Sequence, residues 1–210
     1  MGLSAERLRA DLAAAAAIEP AFAAGLARVG YPEPRIRERG YETLLRTIVG
    51  QQVSVHAANA VWRKLEALGD PRDPAVVAGH SDEALRAAGF SRQKTGYARS
   101  LADEVLSGRL DLANLPADDE EAIAALTRVK GIGRWSAEIY LLFAEGRQDI
   151  WPAGDLAVQI EVGRLLGHEA RPSEKLTREL AEAWRPYRGA VAIFAWHHYG
   201  AKADADAAPV

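Results

Sequence analysis

The 210-residue chain contains no cysteine. That excludes disulfides, zinc sites built on thiolates and thiolate-held iron–sulfur clusters. Excess positive charge is missing too: 26 Lys and Arg stand against 29 Asp and Glu, for a net charge of −3 and a pI of about 6.0. A protein that holds nucleic acid by bulk charge is usually basic. Any such contact here must come from a local basic patch and from backbone groups. No apolar run reaches the ~18 residues of a membrane-spanning helix. The alanine tract Ala13–Ala17 is short and has charged residues nearby. The opening Met-Gly-Leu-Ser-Ala-Glu-Arg lacks the basic start and apolar stretch of a secretory signal. No membrane association and a cytoplasmic location are therefore expected. Strict apolar–polar alternation, the mark of a half-buried strand, is absent from every segment of useful length.

What remains is a chain 49% hydrophobic, enough for a substantial core, broken by 18 glycines and 10 prolines into helix-sized pieces. Residues 5–16 and 20–28 are alanine-rich and separated at Pro20. Pro32 and Pro34 make a loop, because closely spaced prolines resist helix. A helix over about 40–49 carries Leu44, Leu45 and Ile48 on one face, and Gly50-Gln51-Gln52-Val53 interrupts it. Ser54 caps a helix bearing Val55, Ala58, Val61, Trp62 and Leu65 at helical spacing. Ser81 opens a short helix that Gly89 closes, and another spans 92–106. Asp118-Asp119-Glu120 places negative charge at the start of the next, where the helix dipole favours it. Further helices are expected at 134–145, 155–166, 173–184 and 187–198. The fold class is all-α, with about ten helices.

The most informative stretch runs from Leu126 to Tyr140 and reads helix, Gly131-Ile132-Gly133 turn, helix. Two glycines around one apolar residue let the chain reverse tightly, with Ile132 plugged into the core. The second helix then starts with backbone N–H groups pointing outward, a ready site for a phosphate. Arg128, Lys130 and Arg134 supply local positive charge. A bare Gly-x-Gly would be an ordinary helix connection; the apolar residues before it and Ser136-Ala137 after it make the pattern more specific.

These residues resemble the helix-hairpin-helix (HhH-GPD) DNA glycosylase superfamily, and look most like its DNA-3-methyladenine glycosylase II branch. Leu44-Leu45-Arg46-Thr47-Ile48-Val49-Gly50-Gln51-Gln52-Val53-Ser54 resembles the family's entry motif. Trp151-Pro152-Ala153-Gly154-Asp155-Leu156-Ala157-Val158 resembles its catalytic loop. The resemblance covers about residues 40–200. It implies two helical lobes with the active-site cleft between them. The expected divisions are N-terminal helices at 1–38 packing with the C-terminal lobe, a central lobe at 39–150, the catalytic loop and C-terminal helices at 151–204, and a flexible tail at 205–210. About forty helical residues stand where that branch often carries a β-rich domain.

The resemblance also implies a chemistry: hydrolysis of the N-glycosidic bond of alkylated bases, of the 3-methyladenine and 7-methylguanine type, in double-stranded DNA. Breaking that bond builds positive charge on the deoxyribose, which a fixed carboxylate stabilises. Asp155 takes that role; by position alone it is an ordinary helix N-cap. Lyase-competent relatives carry a lysine two residues after the second hairpin glycine, where this chain has Trp135, so water is the expected nucleophile and the activity monofunctional. Trp135 and Trp196 would line the base pocket, where an indole face suits a cationic base; both also read as packing aromatics. Gln52 would be the wedge that fills the space left by the extruded base, where many relatives carry an apolar residue; otherwise it is a solvated loop residue. Lys130, Gly131, Ile132, Gly133, Arg134 and Ser136 would hold DNA. No cofactor is required, but the resemblance implies a structural Na+ or K+ on the carbonyls of Thr127, Val129 and Ile132. The protein is expected to act as a monomer on alkylated duplex DNA. Trp62, Trp151 and Trp184 read as core or lobe contacts, and His197-His198 as no metal site. The competing readings are a hairpin module that only grips DNA and a bifunctional lyase. Asp155 and the aromatic pair argue against the first, Trp135 against the second.

Overall fold

In the computed structural model, the backbone is described for residues 2–207 and the side chains for residues 2–201. The described residues form twelve α-helices and no strand, in keeping with the missing alternation. They are α1 (Ala5–Ile18), α2 (Pro20–Val29), α3 (Tyr41–Gly50), α4 (Val55–Glu66), α5 (Pro74–Gly79), α6 (Asp82–Ala87), α7 (Arg92–Leu106), α8 (Asp119–Thr127), α9 (Arg134–Tyr140), α10 (Leu156–Leu165), α11 (Glu174–Leu180) and α12 (Arg188–Ala207). A π-helical turn at Leu141–Glu145 extends α9, and a 3-10 turn at Ala181–Trp184 extends α11.

Local chemistry explains most of the boundaries. Eight helices open on a Ser or Asp side chain that accepts a first-turn N–H: Ser4, Ser54, Asp73, Ser81, Ser91, Asp118, Asp155 and Ser173. Such a cap contributes about 1 kcal/mol by satisfying a donor that the helix leaves orphaned. The short α5, absent from the sequence reading, has this signal in Asp73 followed by Pro74 at the first helical position. Helix α12 runs past the expected end near residue 198 to Ala207. The tail expected at 205–210 thus falls on the last residues of this helix and on 208–210, which lie outside the described residues.

The chain forms two compact units, one made of Met1–Arg37 with Leu141–Val210 and the other of Glu38–Tyr140. In the first, α1, α2, α10 and α12 enclose Leu8, Leu12, Phe22 and Phe194, all fully buried. Phe22 meets Trp184 edge-on at 4.9 Å, and Trp184 meets Trp151 edge-on at 5.6 Å. Trp151 and Trp184 are thus core residues, as read from the sequence. Gly25 permits the close approach of α2 to α12: a Cβ there would lie 2.8 Å from the Phe194 ring. In the second unit, the α3 face of Leu44, Leu45 and Ile48 is buried, with Leu65 of α4, Leu101 of α7 and Leu126 of α8 also in the core. The polypeptide leaves this unit at Tyr140, where α9 gives way to the π-helical turn.

Candidate active site

Asp155 ends a tightly turned loop in the first unit. The turn is closed by the Ala153 N–H on the Trp151 carbonyl and the Asp155 N–H on the Pro152 carbonyl, each at 2.9 Å. The buried Gln159 amide donates to the Ala153 carbonyl at 2.7 Å, and the Trp151 indole donates to the Thr177 carbonyl at 3.0 Å. The loop therefore has no slack. Asp155 caps α10, its Oδ1 accepting the Val158 N–H at 3.0 Å. The same oxygen accepts the Trp196 indole N–H, also at 3.0 Å. Two fixed donors and the positive end of the α10 dipole thus hold one half-buried carboxylate. The cap is compatible with the functional reading of Asp155, because capping orients the side chain. Trp196 is half-buried, with its ring tilted 37° to Phe143 at 5.6 Å.

The hairpin lies in the second unit, between α8 and α9. Its turn is closed by the Ile132 N–H on the Val129 carbonyl at 3.0 Å, and Ile132 is buried. The two glycines differ. Gly131 has φ +85°, and a Cβ there would lie 2.2 Å from the ring of Tyr97, so the protein itself requires glycine. Gly133 has no atom within 4 Å of where a Cβ would be, and its φ is not left-handed. Its missing side chain leaves open space beside the start of α9, where Trp135 is 47% exposed. Ser136 is half-buried in the same turn of helix.

The charges around the hairpin are arranged differently from the simple basic patch read in the sequence. Arg134 grips Glu120 through both terminal nitrogens, at 2.8 and 2.5 Å, and Glu138 through Nε at 2.9 Å. These partners hold its guanidinium well above the ordinary arginine range, and its charge is balanced on the spot. Arg128 donates to the Arg109 carbonyl at 2.5 Å. Lys130 is exposed, while its backbone N–H donates to the Ser100 hydroxyl at 3.0 Å.

The loop after α3 carries Gln52 and brings in two residues to which the sequence assigns no role, Gln51 and Lys94. Gln52 is exposed and has φ +56°, alone among the described non-glycine residues in its positive value. Gln51 donates its side-chain amide to the Gly131 carbonyl at 2.8 Å. Lys94 of α7 donates to the Val49 carbonyl at 2.7 Å, and burial pushes its ammonium below the usual lysine range. The only sequence signal for this arrangement is the i, i+3, i+6 spacing of Lys94, Tyr97 and Ser100 on α7.

The remaining candidates find structural roles. Trp62 donates to Glu66 at 2.9 Å and carries the Arg46 guanidinium 3.7 Å over its ring. His197 bonds the Val29 carbonyl, while the buried His198 contacts Glu161 and Arg28. Among the described residues, no group of three or more His, Asp or Glu gathers as for a metal. No helix among them is long and apolar enough to cross a membrane.

Residues 45–186 match the model of the HhH-GPD superfamily base excision DNA repair proteins. DNA-3-methyladenine glycosylase 1 of Schizosaccharomyces pombe is 31% identical over 165 residues, covering 76% of this chain and 72% of the relative. The crystal structure of a Bacillus halodurans DNA-3-methyladenine glycosidase superposes with a TM-score of 0.85 at 32% identity, covering 92% of this chain and 91% of that one. The Schizosaccharomyces pombe 3-methyladenine DNA glycosylase in complex with abasic DNA superposes with a TM-score of 0.72 at 29% identity, covering 90% and 94% of the two chains. The chain belongs to the HhH-GPD superfamily of base excision DNA repair proteins, and within it to the DNA-3-methyladenine glycosylase family.

Proposed function

We propose that the protein is a monofunctional DNA N-glycosylase that hydrolyses the bond between deoxyribose and an alkylated purine, of the 3-methyladenine and 7-methylguanine type, in duplex DNA. The observation that carries this reading is the Asp155 carboxylate, held by the Val158 and Trp196 N–H groups on a loop with no slack. A group fixed before the reaction pays no reorganisation cost when charge develops on the sugar. An N-alkylated cationic purine leaves as a neutral base, taking both electrons of the C1′–N bond, and needs no proton to depart. Water adds to C1′ and gives up its proton, for which the carboxylate is an acceptor. Asp155 is thus asked for electrostatic stabilisation and for water positioning. Trp135 offers an exposed indole face that attracts a cationic ring. With that indole at the second position of α9, the amine needed for a Schiff base is not supplied there.

Gly133 and the first N–H groups of α9 would take a phosphate, with Lys130 adding charge. The carbonyls of Thr127, Val129 and Ile132 lie at the end of α8 and in the turn. This is the negative end of a helix dipole, so they fit a monovalent cation. Val129 O accepts one N–H and keeps a second lone pair for such an ion. Bound there, the ion would add positive charge for a phosphate. The protein would act as a monomer in the cytoplasm.

The test is to incubate the protein with methylated duplex DNA and measure free bases and strand integrity. Release of 3-methyladenine and 7-methylguanine with intact abasic strands is expected. Strand scission without heat or alkali, or a borohydride-trapped adduct, would overturn the monofunctional assignment; no base release would overturn the glycosylase itself.

A further inference from the structure

Helix α7 touches the loop after α3 and the hairpin turn of the second unit at three points. Lys94, Tyr97 and Ser100 share one face, at i, i+3 and i+6. Lys94 donates to the Val49 carbonyl, one of the last-turn acceptors that α3 cannot satisfy itself. An ammonium there also meets the negative end of the α3 dipole. The Tyr97 ring covers the Cα of Gly131 so closely that no side chain fits, and the Gln93 amide holds its hydroxyl at 2.5 Å. Ser100 accepts the Lys130 N–H at 3.0 Å. Gln51 closes the circuit directly, from the α3 loop to the Gly131 carbonyl. The first residue after these anchors is Gln52, in a left-handed conformation that is unfavourable for a non-glycine residue. Such a conformation persists only where its surroundings over-determine it.

We propose that Gln51, Lys94 and Tyr97 are positioning residues that lock the Gln52 loop to the hairpin turn, so that phosphate grip and insertion of Gln52 into the duplex occur as one rigid step. This rests on the reading of Gln52 as the inserted residue. The three residues touch no DNA themselves. Their loss leaves the hairpin able to hold a phosphate, but lets Gln52 drift from the position that the grip would otherwise set.

The experiment uses a duplex with a tetrahydrofuran abasic analogue and a neighbouring 2-aminopurine, whose fluorescence reports insertion without any excision. The variants are Gln51→Glu, which keeps shape but cannot donate to a carbonyl, and Lys94→Met, which keeps length without charge. Insertion is expected to slow on the order of tenfold in both, the usual effect of losing a hydrogen bond of this kind. Affinity for undamaged duplex should stay within about twofold, because no phosphate contact is removed. Lys94→Arg, which restores a cationic donor, should recover most of the insertion rate. Unchanged insertion in both variants overturns the proposal. So does a loss of undamaged-duplex affinity matching the loss of insertion, which would make these contacts merely part of the hairpin's shape. Excision separates the two readings. Wild-type protein that inserts but releases no base sinks the proposed activity and leaves this inference decided by the variants. Wild-type protein that releases base with no insertion signal does the reverse.

Discussion

Trp196 and Val158 donate to the same oxygen of Asp155, each at 3.0 Å. One donor is the backbone at the start of α10 and the other is a side chain from α12, so the orientation of the carboxylate is set by the packing of two helices. Asparagine caps a helix nearly as well as aspartate, so Asp155→Asn is a clean removal of charge. Excision of 3-methyladenine should fall on the order of a hundredfold. The unfolding free energy should move by less than about 0.5 kcal/mol. Trp196→Phe keeps a ring beside Phe143 but removes the donor, and should slow excision roughly tenfold. Single-turnover rates with parallel thermal melts make the measurement. A wild-type rate in Asp155→Asn would remove Asp155 from the chemistry, and large unfolding would leave the cap as its main role.

The two hairpin glycines should separate folding from binding. Gly131→Ala forces a Cβ into the Tyr97 ring at a left-handed position, and should cost about 2 kcal/mol or more, lowering Tm by roughly 5 °C or more. At Gly133 a Cβ would meet no atom within 4 Å, so Gly133→Val should hold Tm to within about 3 °C, the small cost of a β-branched residue at a helix start. Duplex affinity, however, should drop at least roughly tenfold if a phosphate approaches the start of α9. Melting curves and fluorescence anisotropy on the two proteins decide this. Wild-type affinity in Gly133→Val would place the backbone contact elsewhere.

Charge at the hairpin should likewise divide between grip and fold. Lys130→Ala should reduce the slope of log affinity against log salt by about 0.9, one released counterion. Arg134→Ala should change it by less than half as much, because Glu120 and Glu138 already balance the guanidinium. It should instead lower stability by about 1 kcal/mol, a modest figure because solvent screens a partly exposed pair. A full unit of slope lost in Arg134→Ala would mean that DNA displaces the carboxylates.

This contrast shows where a single sequence is and is not legible. Most helices are legible because they begin on capping side chains and their core faces repeat at helical spacing, as at Leu44, Leu45 and Ile48; the six-residue α5 has the cap at Asp73 but is too short for the spacing to show. The hairpin could be read because its glycines sit in a fixed pattern. The ion pairs of Arg134 are not legible, because composition gives the sign of a residue but not its partner, and Glu120 is 14 residues away. Trp196 could be marked as an aromatic of interest, yet its bond to Asp155 spans 41 residues. The roles of Lys94 and Gln51 are not legible for the same reason: their partners are backbone carbonyls, which carry no signature in the sequence.

The conformation of Gln52 bears on lesion choice. Flipping a nucleotide costs a few kcal/mol for a sound base pair and less for a damaged one. The inserted residue recovers part of that by filling the gap, and an amide fills it with less apolar contact than a leucine would. As the proposed inserted residue, Gln52 at φ +56° would be presented in place without reorganising, which would partly offset its polarity. The protein should therefore depend on the weakness of the lesion itself. A cationic alkylated base has a labile glycosidic bond and pairs poorly, whereas hypoxanthine is neutral and better paired. Fast excision of 3-methyladenine and slow excision of hypoxanthine are expected. Gln52→Leu should preserve the first and raise the second by a few-fold, on the order of 1 kcal/mol of added apolar burial. Gln52→Ala should slow both. Gln52→Gly separates side chain from strain: it relieves the left-handed conformation and so should gain stability, yet match Gln52→Ala in losing rate. Single-turnover excision on matched duplexes is the measurement, and equal rates for all four proteins would show that Gln52 does not enter the DNA.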